Sequence, residues 1–140
     1  MFALFSVRVL IERHKLSQEV LTKPYVVDAH PKKVSKPVTW LNSHRVEELY
    51  DLSAKSSRSL NPLFLCNQVI HSYILIPVQE KQQFSHILVC SDYERNRYLY
   101  FVPVSSILDL LRTVASDYAS RMECHFNPKK QDYDIRQYKI

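Results

Sequence analysis

Glycine is absent from all 140 residues of the chain. Average usage is about 7%, so about ten glycines would be expected. Glycine supplies backbone with positive φ and lets the backbone come close to a ligand. Its absence excludes the phosphate-binding loop, the glycine-rich turn of dinucleotide-binding folds, the nucleophile elbow and the glycine-dependent calcium loop. Most of the easily recognised enzyme classes are therefore excluded.

Cysteine is scarce as well, with three residues at wide spacing and no C-x-x-C pair. We therefore expect Cys66, Cys90 and Cys124 to be reduced thiols. A zinc site that combines His86 and Cys90 with Cys124 and His125 is not expected. His86 and Cys90 would lie about 13 Å apart on one strand, and Cys124 and His125 would point to opposite faces. The sequence predicts no metal site and no cofactor.

The chain also lacks a hydrophobic run long enough to cross a bilayer. Its apolar start is interrupted by Arg8 and closed by Glu12, Arg13 and Lys15, without the features of a signal peptide. The composition, 46% hydrophobic and 24% charged, is typical of a globular domain. We predict one domain over residues 1–140, in the cytoplasm, with no membrane partner.

Acidic residues are missing from one basic stretch of a chain whose formal net charge is +5. Residues 29–45 contain no Asp or Glu. The stretch carries four cations and the only tryptophan: Lys32, Lys33, Lys36, Trp40 and Arg45. Cations interleaved with an aromatic ring suit phosphate contact and base stacking. This stretch is a candidate nucleic-acid-binding segment. The alternative is a solvated connection with Trp40 buried in the core.

Hydrophobic spacing predicts an alternation of helices and strands. Helices are predicted at about 3–22, 43–56, 62–72 and 106–119, and strands at about 73–78, 85–92, 97–102 and 121–126. A strand remains an alternative at 3–12, because the apolar residues there also alternate. The first three strands follow one another through short polar turns, which predicts an antiparallel meander.

Two segments lack a periodic pattern. Pro24, Pro31 and Pro37 punctuate residues 23–42, which are predicted to form a long basic loop. A loop of that length inside a compact domain is commonly functional or disordered. Residues 127–140 are polar and are predicted to form a loosely attached tail.

Together these elements predict an α+β fold. N-terminal helices and a long basic loop precede a three- to four-stranded antiparallel meander packed against helices. The strands 73–78 and 97–102 contain continuous apolar runs, which need cover on both faces of the sheet. Helices of this chain could supply both covers, or a second copy could supply one. We expect self-association through the apolar sheet.

One polar pair lies on the predicted helix 62–72. Asn67 and His71 are four residues apart and share a helix face, next to Leu63 and Phe64 one turn earlier. A half-buried histidine beside an amide suits a general base in a hydrolase or nuclease. The structural alternative, which we favour, is a hydrogen-bonded core histidine that ties the helix to the meander.

Three functional hypotheses follow. The leading one is a non-catalytic binding or oligomerisation module. The second is nucleic-acid binding through residues 29–45, and the third is a hydrolase or nuclease centred on His71. Only the local charge separates the first two hypotheses.

Overall fold

Five antiparallel strands form the main sheet in the computed structural model, which describes residues 1–33 and 35–139. In chain order they are β1 (Tyr25–Pro31), β2 (Ser56–Leu60), β3 (Ser72–Glu80), β4 (Gln83–Ser91) and β5 (Tyr98–Pro103). Their spatial order is β2-β1-β5-β4-β3, and each neighbouring pair is antiparallel. The predicted α+β class is confirmed, and the meander β3–β4–β5 makes up one side of the sheet.

The longer helices cover one face of this sheet. The helices within the described residues are α1 (Phe2–Glu12), α2 (Gln18–Leu21), α3 (Val46–Leu49), α4 (Pro62–Ile70) and α5 (Val104–Ala115). The three longest, α1, α4 and α5, bury their apolar sides against β1, β4 and β5. Members of this core with 0% exposure include Ala29, Leu65, Val89, Val102 and Leu110. Every helix in the described ranges is shorter or more polar than a membrane crossing requires.

The opposite face of the sheet is covered at one end by residues 38–50, here called the 38–50 segment. Val38, Val46, Leu49 and Tyr50 of this segment pack on side chains of the sheet. Those sheet side chains are Ile74, Cys90 and Leu99. The cover on this face is therefore an irregular segment with one short helix, and it leaves the other end of the face open.

The start and end of α4 determine where the polar pair lies. Asn61 Oδ1 accepts a hydrogen bond from the Phe64 amide at 2.8 Å, and Pro62 occupies the first turn with a fixed φ. The helix ends at Ile70, and His71 is its cap residue with φ −102° and ψ 28°. His71 therefore sits just beyond the end of α4, not within its last turn.

The predicted loop at 23–42 contains strand β1, so the loop prediction is wrong over Tyr25–Pro31. Tyr25, Val27 and Ala29 are buried and alternate with less buried residues. This alternating pattern covers only a few residues, and Pro24 and Pro31 lie at its two ends. Because prolines are typical of loops, the sequence did not indicate a strand here. Val34, in the same predicted loop, and Ile140, in the predicted tail, lie outside the described residues.

The predicted helix 43–56 is wrong beyond one turn, since α3 spans Val46–Leu49 and β2 begins at Ser56. Asp51 ends the helical pattern because its Oδ1 accepts hydrogen bonds from the amides of Ser53 and Ala54 at 3.1 Å. Such a carboxylate offers the backbone an alternative to helix. The hydrogen bond from the Ser53 side chain lowers the pKa of Asp51 below its ordinary value.

Both ends of the chain also differ from prediction. The predicted helix 3–22 divides into α1 and α2, with His14 at φ 55° between them, and the strand alternative for 3–12 is wrong. Strand β6 (Arg121–Asn127) confirms the predicted strand at 121–126, but it belongs to a separate sheet. Its partner is β7 (Asp132–Tyr138), inside the predicted loose tail. The prediction of a loose tail is therefore wrong over β7. Backbone pairing with β6 forms this strand, and its polar side chains gave no apolar pattern.

Candidate nucleic-acid interface

Side-chain burial and hydrogen bonds anchor the 38–50 segment. Val38 is 1% exposed and Tyr50 is fully buried. The Val38 amide donates to Asn96 Oδ1 at 3.0 Å, which ties the segment to the turn between β4 and β5. Asn42 accepts from the Thr39 amide at 2.7 Å and donates to the Pro37 carbonyl at 3.1 Å. The short turn between these anchors therefore has a defined backbone.

Trp40 projects from that turn into solvent. Its exposure is 79%, and that of the neighbouring Leu41 is 84%. The indole makes an edge-on contact with the Tyr73 ring, with 6.4 Å between the ring centroids and an interplanar angle of 85°. The alternative that Trp40 is buried in the core is therefore wrong.

Two arginines lie on aromatic rings at the same end of the sheet. The Arg95 guanidinium lies over the Tyr73 ring at 4.3 Å, and Arg97 lies over Tyr93 at 5.1 Å from the centroid. Both arginines belong to the turn between β4 and β5. We call Trp40, Tyr73, Tyr93, Arg95 and Arg97 the Trp40 surface. Sequence reasoning missed the last four members, because only the fold brings them to the end of the sheet where Trp40 contacts Tyr73.

The predicted cations of the basic stretch lie around this surface. The Lys32 amide donates to the Arg97 carbonyl at 3.1 Å, and the Lys33 amide donates to the Leu49 carbonyl at 3.0 Å. Lys33 and Lys36 are exposed residues. Arg45 is exposed too, and its guanidinium lies 3.8 Å from Glu48. This long, solvated ion pair neutralises little of the positive charge.

An open groove of about 380 Å³ runs beside Trp40. Trp40 and His44 form one side of it, and Tyr73 and the following residues of β3 form the other. The groove combines an aromatic wall with a histidine and an apolar strand. A base that stacks on the indole could therefore also contact β3.

The structure places Asn67 and His71 together in a second cavity, of about 450 Å³, here called the His71 cleft. Phe64, Asp92 and Tyr93 also line it. His71 is exposed, so the favoured prediction of a buried core histidine is wrong. The reason is the end of α4 at Ile70, which puts His71 at the surface.

A residue from α1 contacts His71 beside this cleft. Arg8 Nη1 lies 2.6 Å from His71 Nε2. Because a guanidinium can only donate, Nε2 is the acceptor in this contact. Asn67 is half-buried, and its Oδ1 is buried with no hydrogen-bond partner among the described residues. No sequence pattern pointed to Arg8, which is 63 positions from His71.

The residues weighed for a zinc site lie in two separate sheets. His86 and Cys90 are on β4 of the main sheet, whereas Cys124 and His125 are on β6 of the hairpin. Cys90 is fully buried, and Cys124 is exposed. This placement does not bring the four side chains together.

Comparison of the chain with known proteins found no matching family model, no similar curated protein and no similar solved structure.

Proposed function

We propose that the protein is a non-catalytic binding module whose ligand is single-stranded nucleic acid, held on the Trp40 surface. The observation that carries the proposal is the 79% exposure of Trp40 on an anchored turn. Burial of a large aromatic side chain usually lowers the free energy of a folded chain. Here Val38 and Asn42 are buried on the two sides of the turn and hold its backbone, while the indole lies in solvent.

Stacking supplies the first part of the proposed binding. Every base has a π face, and base–aromatic stacking contributes about 1–3 kcal/mol per base. Trp40, Tyr73 and Tyr93 lie at one end of the sheet, and Arg95 contacts Tyr73. Such a set accommodates successive bases of a flexible single strand, whereas the stacked bases of a duplex cannot reach it.

Charge supplies the second part. The basic stretch contributes Lys32, Lys33, Lys36 and Arg45, and the turn between β4 and β5 adds Arg95 and Arg97. Two acids lie on that turn. Asp92 lies 3.2 Å from the Arg95 guanidinium, and Glu94 is buried and accepts a hydrogen bond from the Tyr100 hydroxyl at 3.0 Å. The net positive charge attracts phosphates and makes binding sensitive to salt.

The test is the affinity for a fluorescently labelled single-stranded oligonucleotide, measured by anisotropy for the wild type and two variants. Trp40→Ala should weaken binding by about 1–3 kcal/mol because the stacking ring is lost. Tyr118→Ala is the matched control, since Tyr118 is also a solvent-exposed aromatic residue, 81% exposed, in a different part of the fold. Equal affinities for the two variants would contradict the proposal.

Self-association is a second candidate, favoured by the open end of the main sheet. Val78 and Phe101 line a cavity there, together with Leu88, which also packs against the cluster under the 38–50 segment. Val26 of β1 and Phe84 of β4 are exposed, at 61% and 59%. A second copy with the same surface could cover this apolar end.

Light scattering at tens of micromolar tests this second candidate. A dimer should scatter with twice the 16.6 kDa mass of the chain. Val26→Lys should return the mass to that of the monomer, because a charge would be buried in the contact. A monomeric mass for the wild type would remove self-association from the account and leave the nucleic-acid proposal unaffected.

A further inference from the structure

We infer that the His71 cleft binds one nucleotide, with the edge of its base beside Asn67 and its phosphate at Arg8. The inference rests on the proposed function, because Tyr93 belongs both to this cleft and to the Trp40 surface. A strand on the Trp40 surface could therefore continue past Tyr93 into the cleft. A free nucleotide has the same chemistry and could also occupy it.

The size and walls of the cleft suit a base. Its volume of about 450 Å³ lies within the range of small-molecule sites. Phe64 and Tyr93 are the aromatic residues of its lining. The Phe64 ring packs edge-on against Tyr100 with 5.7 Å between the centroids, which fixes its position. Tyr93 is 75% exposed and offers a ring face for stacking.

Asn67 supplies the contact to the edge of the base. Its Oδ1 is buried and has no partner among the described residues, a state that costs free energy. The terminal torsion of asparagine is soft, so the amide can turn toward a donor in the cleft. An asparagine amide pairs with adenine in two hydrogen bonds, accepting from the N6 amino group and donating to N7. The N3–H and O4 groups of uracil offer a similar pair, so this contact holds a base without selecting adenine over uracil.

Arg8 supplies the phosphate contact beside the cleft. Its Nη1 donates to His71 Nε2 at 2.6 Å, and its Nε donates to Glu12 at 2.9 Å. These two contacts orient the guanidinium and leave Nη2 to donate to a phosphate. The acid in the cleft lining, Asp92, is paired with Arg95 at 3.2 Å. Guanidinium groups bind phosphate well because they offer several donors in one plane.

The experiment compares four probes on the full chain: oligo(A), oligo(U), adenosine monophosphate and adenosine. Titrations of isotope-labelled protein by NMR locate each probe. Both oligonucleotides should shift the resonances of the Trp40 surface and of the cleft, and the two small ligands should shift those of the cleft. Asn67→Leu should weaken the binding of adenosine monophosphate and of adenosine about tenfold each, because both present the base edge. The shifts that the oligonucleotides cause at Trp40 should stay unchanged. This variant also removes the unpaired amide, so its melting temperature should not fall.

Arg8→Met gives an independent readout of the phosphate contact. This variant should bind adenosine monophosphate about tenfold more weakly than the wild type and should bind adenosine with unchanged affinity. This comparison keeps the inference testable even if Asn67→Leu fails to fold.

The outcomes separate this inference from the proposed function. Oligonucleotide binding at Trp40, with no adenosine monophosphate bound in the cleft and no effect of Asn67→Leu, overturns the inference and leaves the Trp40 surface standing. Binding of adenosine monophosphate in the cleft, without binding of either oligonucleotide, supports the inference with a free nucleotide as ligand and overturns the proposed function. If none of the four probes binds, both are overturned.

Discussion

Tyr50 shows how single residues hold the proposed interface in place. It is fully buried, and its hydroxyl donates a hydrogen bond to the Arg95 carbonyl and contacts Cys90 Sγ at 3.8 Å. Burial raises the pKa of the Tyr50 hydroxyl far above its ordinary value, so it stays protonated and can donate. One side chain thus joins the segment that carries Trp40 to the turn that carries Arg95.

The cysteines allow a test of the core at the residue scale. Burial raises the pKa of the Cys66 and Cys90 thiols to about 11, from an ordinary value of 9.0. Thiolates react with disulfide reagents, and Cys124 is the exposed one of the three. We expect one thiol per native chain to react at pH 8 and all three to react in denaturant. Rapid reaction of three thiols in the native protein would contradict the described core.

The same thiols predict a loss of stability in alkali. Their pKa is higher in the folded chain than in the unfolded chain, so folding keeps their protons bound. The corresponding stability is fully present below about pH 9 and is lost as the pH rises through about 11. Urea unfolding between pH 8 and 11 measures it. Cys66→Ala with Cys90→Ala should be less stable at pH 8 but should lose less stability than the wild type over this range.

At the scale of helices and strands, Asp117 connects three parts of the chain. Its carboxylate accepts hydrogen bonds from the amide and the hydroxyl of Ser17, both at 2.7 Å, and its side chain is 2% exposed. Lys139 Nζ lies 3.5 Å away, beyond the end of β7. Gln137 of β7 forms an isolated parallel β-bridge with Ser17. The hairpin β6–β7 is therefore anchored at its base through Ser17 and Asp117.

Asp117→Ala should destabilise the protein by about 2–3 kcal/mol, because it leaves the Ser17 donors buried without their acceptor. Urea unfolding measures this loss, and limited proteolysis should cut the hairpin earlier. Asp109→Ala is the matched control. Asp109 pairs with Lys23 at 2.6 Å, but its side chain is 52% exposed, so less than about 1 kcal/mol should be lost. Equal losses for the two variants would argue against the anchor.

Local signals predicted the elements with strong patterns. The helix at 62–72 is close to α4 (Pro62–Ile70), because Asn61 and Pro62 mark its start and apolar residues fill it. The meander strands and α5 were predicted equally closely. In contrast, β2 reads Ser-Ser-Arg-Ser-Leu and buries only its last residue. An edge strand of this kind is held by backbone hydrogen bonds, and its side chains give no periodic signal.

At the scale of the whole molecule, the sheet order determines the proposed interface. The basic residues and Trp40 of the 29–45 stretch could be selected from composition alone. Arg95 and Arg97 could not, because long-range contacts bring their turn to Trp40: the pairing of β1 with β5, and the hydrogen bonds from Val38 to Asn96 and from Tyr50 to Arg95. Arg8 reaches His71 in the same way, through the packing of α1 on α4. Long-range pairing of this kind leaves no trace in local spacing.

The charge of the interface gives a further prediction. If three or four phosphates contact the basic residues, log K for a single strand should fall with log salt with a slope of about −2 to −3. Lys32→Ala with Lys33→Ala should flatten that slope by up to about 1.4. Lys129→Ala with Lys130→Ala removes the same charge from the turn of the β6–β7 hairpin and should leave the slope unchanged. Equal slopes for the two double variants would mean that net charge alone attracts the strand.

The most direct test of the central claim uses the fluorescence of Trp40, the single tryptophan of the chain. Titration of the wild-type protein with an unlabelled single-stranded oligonucleotide should quench this emission to saturation, because a base stacks on the indole. Added salt should restore the emission as the strand dissociates. Unchanged emission at oligonucleotide concentrations that saturate binding would show that the strand does not stack on Trp40. A complete absence of binding would contradict the account as a whole.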